Sequence, residues 1–143
     1  MRLLMIHAES FWYEARVKTP IAVEISEDEM NGNFGESLIV MYSTEKVDDD
    51  DPREVSRLAA EEVKSYISKI GQKPIVLFPF AFLVTRDEKS SSSTAARMEH
   101  LLMEALGDSN LDVVPFGWYK KFTITSMGHK YTVHSARVTP AVQ

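Results

Sequence analysis

In the stretch "PFGWYKKF" (115–122), Lys120 and Lys121 directly follow the aromatics Phe116, Trp118 and Tyr119, with Gly117 at the bend. Read as a strand, the alternation after Tyr119 puts Lys120, Phe122, Ile124 and Ser126 on one face. Tyr119, Lys121, Thr123 and Thr125 share the other. Lys120 thus points to the more apolar side and Lys121 to water. An inward lysine is costly unless it is paired, neutral or meets an anionic ligand. A stem that snorkels back to solvent is the alternative. "PFAF" (79–82) is a second stretch of this kind. In both, Pro-Phe follows an apolar segment and precedes a small residue, which lets the backbone approach a ligand closely.

Other chemistry-bearing residues have less pattern. The histidines are His7, His100, His129 and His134, with no i, i+4 pair and no HExxH, so zinc has little support. His7 is placed at the carboxyl end of a first strand, where α/β folds keep ligands. His100 reads as a surface or boundary residue. "DDDD" (48–51) precedes Pro52 and lacks the glycine turn of a calcium loop, so it reads as helix capping. The serines at 90–93 have no G-x-S-x-G elbow and read as loop and N-cap.

These groups must be positioned by a small set of elements. "RLLMIHA" (2–8) is a buried strand whose alternation continues through Phe11 and Tyr13, and "IAVEIS" (21–26) is a strand that could pair nearby. "SLIVMYSTEKV" (37–47) is an apolar strand with a polar end. Residues 48–71 form the clearest helix, with Pro52 in its first turn, Gly71 at its stop and a stripe from Val55 to Ile70. "KPIVLFPFAFL" (73–83) is a central strand broken at Pro79. After a polar loop (85–94), a second helix runs from about Thr94 to Leu106 and stops at Gly107. "KKFTITSM" and "HKYTVHSARV" flank Gly128 as a hairpin. The expected fold is one α/β domain over 1–143, a mixed β-sheet with two main helices.

The 143 residues suffice for one hydrophobic core, and 44% hydrophobic with 26% charged residues is ordinary for a globular chain. No apolar run approaches the roughly 20 residues of a membrane span. The absence of cysteine excludes disulfides, thiolate catalysis and zinc–cysteine sites, and fits an intracellular location. A net charge of -5 argues against broad nucleic-acid binding, but a pocket for one nucleic-acid end escapes that argument.

"MRLLMIHAESFWYE", "YSTEKVDDDDP", "PFAFL", "PFGWYKKF", then "GH" and "SARVTP" occur in order, and taken together they resemble the N-terminal editing domain of archaeal threonyl-tRNA synthetases. That family is similar in fold to D-aminoacyl-tRNA deacylases. The resemblance covers essentially the whole chain. It implies hydrolysis of mischarged seryl-tRNA(Thr) with threonyl-tRNA(Thr) spared, because one methyl is worth only about 1–3 kcal/mol at a binding site and a second sieve is needed. By the same resemblance, Lys120 would hold and polarise the substrate and Tyr119 would line its site. Pro79, Phe80 and Ala81 would form wall and backbone contacts, with Phe116 and Gly117 as floor. Ser43, Thr44 and Glu45 would sit near the terminal adenosine, largely through main chain.

The chain departs from the family at two places. Phe82 stands where many members have histidine, and Val133 or His134 where they have glutamate. The family's chemistry suggests that the tRNA's own terminal ribose hydroxyl positions the water, which makes these losses tolerable, and His134 is a candidate replacement. Neither metal nor cofactor is expected. The expected partners are the 3′-terminal adenosine of aminoacyl-tRNA, a second copy through an exposed strand edge, and a synthetase catalytic module in cis or trans. ATP binding would belong to the full-length enzyme, the location would be cytoplasmic, and the chain would be an excised fragment or one part of a split system. The rival readings are a non-catalytic tRNA-binding or dimerisation module, and a D-aminoacyl-tRNA deacylase. The latter family relies on a Gly-Pro dipeptide that this chain lacks.

Overall fold

The computed structural model describes residues 1–107 and 110–141. Among them, seven strands form one mixed sheet organised by its first strand. β1 (Arg2–Lys18) is long enough to carry two partners in line along each side. On one side lie β3 (Ser37–Ser43), opposite Arg2–Ala8, and β2 (Asn31–Phe34), opposite Phe11–Glu14. On the other lie β7 (Val133–Arg137), opposite Arg2–Ile6, and β6 (Trp118–Ser126), opposite Ala8–Lys18. β6 and β7 do not pair with each other, so the hairpin expected around Gly128 is replaced by two collinear strands. The expected strand at 21–26 is also absent. There the backbone instead bonds to the loop before β6, with Val23 N–H donating to Phe116 O at 3.1 Å.

The sheet continues from β3 to β4 (Ile75–Pro79) and β5 (Leu111–Val113), both steps parallel. β4 lies between parallel neighbours, which explains its unbroken apolar run. The helices α1 (Pro52–Ile70) and α2 (Ser92–Leu106) supply the crossovers. Asp51 caps α1 by accepting the Glu54 N–H, and Ser91 caps α2 by accepting that of Thr94. The other aspartates have separate tasks. Asp48 accepts from the Met1 ammonium at 2.9 Å, and Asp49 accepts from Ser91 Oγ at 3.0 Å.

Two apolar clusters lie on the two faces of the sheet. Leu3 and Met5 pack with Leu38, Val40 and the helices. Leu4, Ile6 and Ala8 pack with Ile39, Phe78 and Val76 on the other face. A register shift between Ala8 and Ser10 then reverses the parity of β1, so that Phe11 and Tyr13 join the second cluster.

Candidate functional site

β3 and β4 run parallel and end together at Ser43 and Pro79, the position at which such sheets open toward ligands. A cavity of about 730 Å³ lies there, within the range of small-molecule sites. It is bounded by these strand ends, by the start of β6, by the segment after β1 and by the first turn of α2.

Lys120 enters from β6, on the face shared with Phe122, as alternation requires. Its Nζ donates to Pro115 O at 3.0 Å and Trp118 O at 2.6 Å, and stands 5.5 Å from the Phe78 ring centre. Burial lowers its pKa from 10.5 to about 8. Among the described residues, the cation is thus held by carbonyl dipoles, without a carboxylate, on the wall of a cavity. That arrangement leaves its charge available to a developing oxyanion.

The aromatic wall is built edge to face. Phe78 meets Phe122 at 5.0 Å and Phe80 at 5.5 Å, and Phe80 meets Phe82 at 5.4 Å. Phe82 is 65% exposed at the rim, with Lys89 Nζ at 5.4 Å from its ring. Pro79 and Ala81 complete this wall. Ser43 is spent on holding it: Leu83 N–H donates to Ser43 Oγ, which donates to Phe80 O. Thr44 lines the cavity and is bonded to Ser90, hydroxyl to hydroxyl, at 2.6 Å.

Phe116 and Gly117 form the wall opposite. Gly117 has φ +81°, and a Cβ there would lie 2.5 Å from Ala22 Cα. Its carbonyl accepts the Thr19 N–H, which draws Thr19, Pro20 and Ile21 over the site. Tyr119 borders the cavity while 56% exposed.

Three expected site residues lie elsewhere. Glu45 is buried outside the cavity, where Arg137 donates to both its oxygens at 3.0 Å and the Met1 ammonium stands at 3.1 Å. Burial pushes its carboxyl up, but these cations outweigh that and hold it below its ordinary value. His7 is not at the end of β1 but in its interior, with the parity of Leu3 and Met5, and its ring bonds to His129 and Glu36. His134 pairs with Met5 and stacks on Tyr66 of α1 at 5.4 Å. Both imidazoles belong to the helix-covered face, so His134 does not replace the missing carboxylate at this cavity.

Sequence reading missed Tyr42, the segment 19–21, and Lys89, Ser90, Ser92 and Ala95 around the start of α2. The crossover after β4 brings in Lys89, Ser90, Ser92 and Ala95, Tyr42 comes with the end of β3, and the bond from Thr19 N–H to Gly117 O brings in the segment 19–21. Phe122 was legible, because it shares a strand face with Lys120. Among the described residues, no cluster of three or more His, Cys, Asp or Glu could hold a metal. No described helix is long and apolar enough to cross a membrane.

Residues 1–138 match the archaea-specific editing domain of threonyl-tRNA synthetase. The chain is 36% identical over 141 residues to a threonine–tRNA ligase of Methanobrevibacter smithii, covering 97% of this chain and 23% of that protein. It is 37% identical over 130 residues to that of Methanothrix thermoacetophila, covering 90% and 21%. The chain therefore spans less than a quarter of these relatives. A structure titled as a probable eukaryotic D-amino acid tRNA deacylase aligns with a TM-score of 0.64 at 12% identity, over 94% of this chain and 97% of that one. A c-Myc DNA unwinding element binding protein aligns equally well, at 0.64 and 11% identity over 99% and 100%. The fold is therefore that of the D-aminoacyl-tRNA deacylases.

Proposed function

The chain belongs to the archaea-specific editing-domain family of threonyl-tRNA synthetase, and from that premise we propose that its cavity hydrolyses the ester of seryl-tRNA(Thr) and spares threonyl-tRNA(Thr). The observation that carries the reading is Lys120, a desolvated ammonium on the cavity wall beside the Phe78 ring, whose hydrogen-bond partners among the described residues are backbone carbonyls. In this reading the terminal adenosine and its seryl group fill the cavity. A water attacks the ester carbonyl, oriented by the free ribose hydroxyl of the same nucleotide. Lys120 stabilises the charge that develops on the carbonyl oxygen, in a site where few waters compete. The backbone at Pro79–Ala81 and Phe116–Gly117, which lines the cavity, contacts the amino acid and discriminates against the extra methyl of threonine.

The partners follow from this reading. The cavity takes only the acceptor end, so net acidity is no obstacle. The tRNA body would be gripped by a synthetase module in cis or trans, and a second copy would dock on an exposed strand edge. A non-catalytic recruitment module is the second reading, favoured by Phe82 and Val133, which put exposed apolar side chains where acid–base groups were expected.

The deciding experiment follows release of serine, threonine and a D-amino acid from their tRNA esters, with wild type and Lys120→Ala. Fast serine release, spared threonine and a crippled variant establish editing. Tight binding without turnover on any of the three establishes the recruitment module instead.

A further inference from the structure

An aromatic row runs along one wall of the cavity, from its buried lysine to its rim. Lys120 Nζ stands 5.5 Å from the Phe78 ring centre, Phe78 meets Phe80 at 5.5 Å, and Phe80 meets Phe82 at 5.4 Å. Exposure climbs along the row from 1% at Phe78 to 65% at Phe82. A second lysine closes it, with Lys89 Nζ 5.4 Å from the Phe82 ring centre. Among the described residues, Lys89 and Lys120 are the cations that line the cavity.

The two side chains at the rim stand on fixed backbone. Phe82 lies in the single 3-10 turn Ala81–Leu83, which Ser43 ties down through Phe80 O and Leu83 N–H. Lys89 bridges to Glu45 just past the end of β3, and the next residue, Ser90, donates its N–H to Thr44 O at 3.3 Å. A lone exposed phenylalanine needs no explanation. This one continues a cavity wall, and the lysine over it has no carboxylate partner among the described residues. The comparable pair beside Gly117 is already spent. There Lys18 stands 6.0 Å from the Trp118 ring centre but is paired to Glu24 at 2.7 Å, and the indole N–H donates to Val23 O at 2.9 Å.

A ligand suited to the Phe82 rim presents a flat face to the ring and an anion to the ammonium, which is the chemistry of a nucleotide. With the terminal adenosine inside the cavity, the next groups along the chain are its 5′-phosphate and the base of the preceding nucleotide. The lysine stem is flexible, so the ammonium can leave the ring for a phosphate oxygen and free the ring face for a base.

We propose that Phe82 and Lys89 form a subsite for the nucleotide that precedes the terminal adenosine, with Phe82 stacking on its base and Lys89 pairing with the phosphate that joins the two. The assignment rests on the editing reading and deepens it, because it gives the acceptor strand its way out of the cavity. The subsite needs no particular base, since stacking on an aromatic ring tolerates any of them.

The test builds the ligand outward in two steps. Binding of a non-hydrolysable 3′-seryl amide of adenosine is compared with the same amide on two dinucleotides. One has a 5′ nucleotide without a base and adds only the phosphate; the other, cytidylyl-adenosine, adds the base as well. Wild type, Phe82→Leu and Lys89→Gln are each read against their own affinity for the adenosine amide, so an effect of either substitution inside the cavity cancels. A stacked base is worth on the order of tenfold in affinity. Wild type is expected to gain about that factor when the base is added, and Phe82→Leu to lose this gain while keeping that of the phosphate. Lys89→Gln is expected to lose the phosphate gain, and its log affinity for the dinucleotides should fall less steeply with log salt, by about 0.7 in slope. Cytidylyl-adenosine amide that binds wild type no better than the adenosine amide overturns the subsite. A base gain retained by Phe82→Leu, or a phosphate gain retained by Lys89→Gln, also overturns it. These outcomes leave the editing reading untouched. Failure of wild type to bind any of the three amides overturns the subsite too, and the seryl-ester assay then tells whether the editing reading falls as well.

Discussion

The imidazoles of His7 and His129 are hydrogen-bonded, Nδ1 to Nε2, at 2.7 Å across 122 residues of sequence. Their tautomers follow from the neighbours. Tyr131 N–H donates to His129 Nδ1 at 3.0 Å, so His129 carries its proton on Nε2 and donates to His7. His7 then donates through Nε2 to Glu36 at 2.7 Å. The His7 backbone bonds to both ends of the segment between β6 and β7, its N–H to Thr132 O and its carbonyl to Met127 N–H. This residue therefore fixes the relative placement of the two strands, and β6 carries Lys120. His129→Ala leaves His7 Nδ1 without a donor and is expected to cost about 1–3 kcal/mol in urea unfolding. A variant as stable as wild type would show that the strands need no such clasp.

Lys120 gives a pH dependence whose sign can be worked out. Burial lowers its pKa from 10.5 to about 8. Below pH 8 the amine is charged in both folded and unfolded chains, and the folded state bears the desolvation cost in full. Between pH 8 and 10.5 the folded state loses its proton first, so stability rises with pH across that window. Lys120→Met should abolish this rise and be more stable than wild type at pH 7. Activity should go the other way. Loss of a preorganised oxyanion donor costs about 10²–10³-fold in rate, and wild-type kcat/KM should decline as pH climbs through about 8. Urea midpoints and initial rates at several pH values test both. A rate that climbs steadily with pH after correction for spontaneous ester hydrolysis would mark Lys120 as a base instead.

What was legible in the chain was mostly contiguous. The segments at 43–44, 79–82 and 116–120 each combine a strand end with a small or aromatic residue, and all three meet at the cavity. Both helices were readable from Pro52 and the serine run, since capping and stripe are local features. Relations between distant elements were not readable. The register shift after Ala8 turns Phe11 and Tyr13 to the face opposite that of Leu3, Met5 and His7, and a single strand's alternation does not announce it. β6 and β7 looked like a hairpin because the sequence shows two adjacent strands around a glycine, while β1, read at 2–8 with alternation through Tyr13, runs on to Lys18 and can hold both in line. Glu45 carries a motif yet is committed to Arg137, 92 positions away.

Gly117 is held at φ +81° with the chain at Ile21 and Ala22 laid against it. Alanine there meets two obstacles, a backbone conformation that disfavours a side chain and a 2.5 Å contact with Ala22 Cα. Gly117→Ala should therefore cost more than about 1 kcal/mol in stability and displace the segment 19–22 from the cavity rim. Deacylation should fall even where the variant remains folded. Limited proteolysis near Thr19 and rates measured well below the unfolding midpoint separate the two effects. An unchanged cleavage pattern with full activity would show that the segment plays no part in closing the site.

Phe82 decides how much chemistry the protein side of the reaction supplies. Its ring is 65% exposed, touches Phe80 edge to face and lies under Lys89, so replacement should shift stability by no more than about 0.5 kcal/mol. If Lys120 and the substrate's ribose hydroxyl perform the hydrolysis, Phe82→His should change kcat/KM by less than about tenfold. A general acid–base group is worth about 10²–10⁴-fold, so a gain of that size would mean that this chain lacks a group the reaction needs. A second substrate, with the ribose hydroxyl next to the ester replaced by hydrogen, distinguishes the two sources of catalysis. The expected result is near-total loss of turnover with wild type and with Phe82→His alike. Rescue of that deoxy substrate by the histidine variant would instead place the water's activation on the protein.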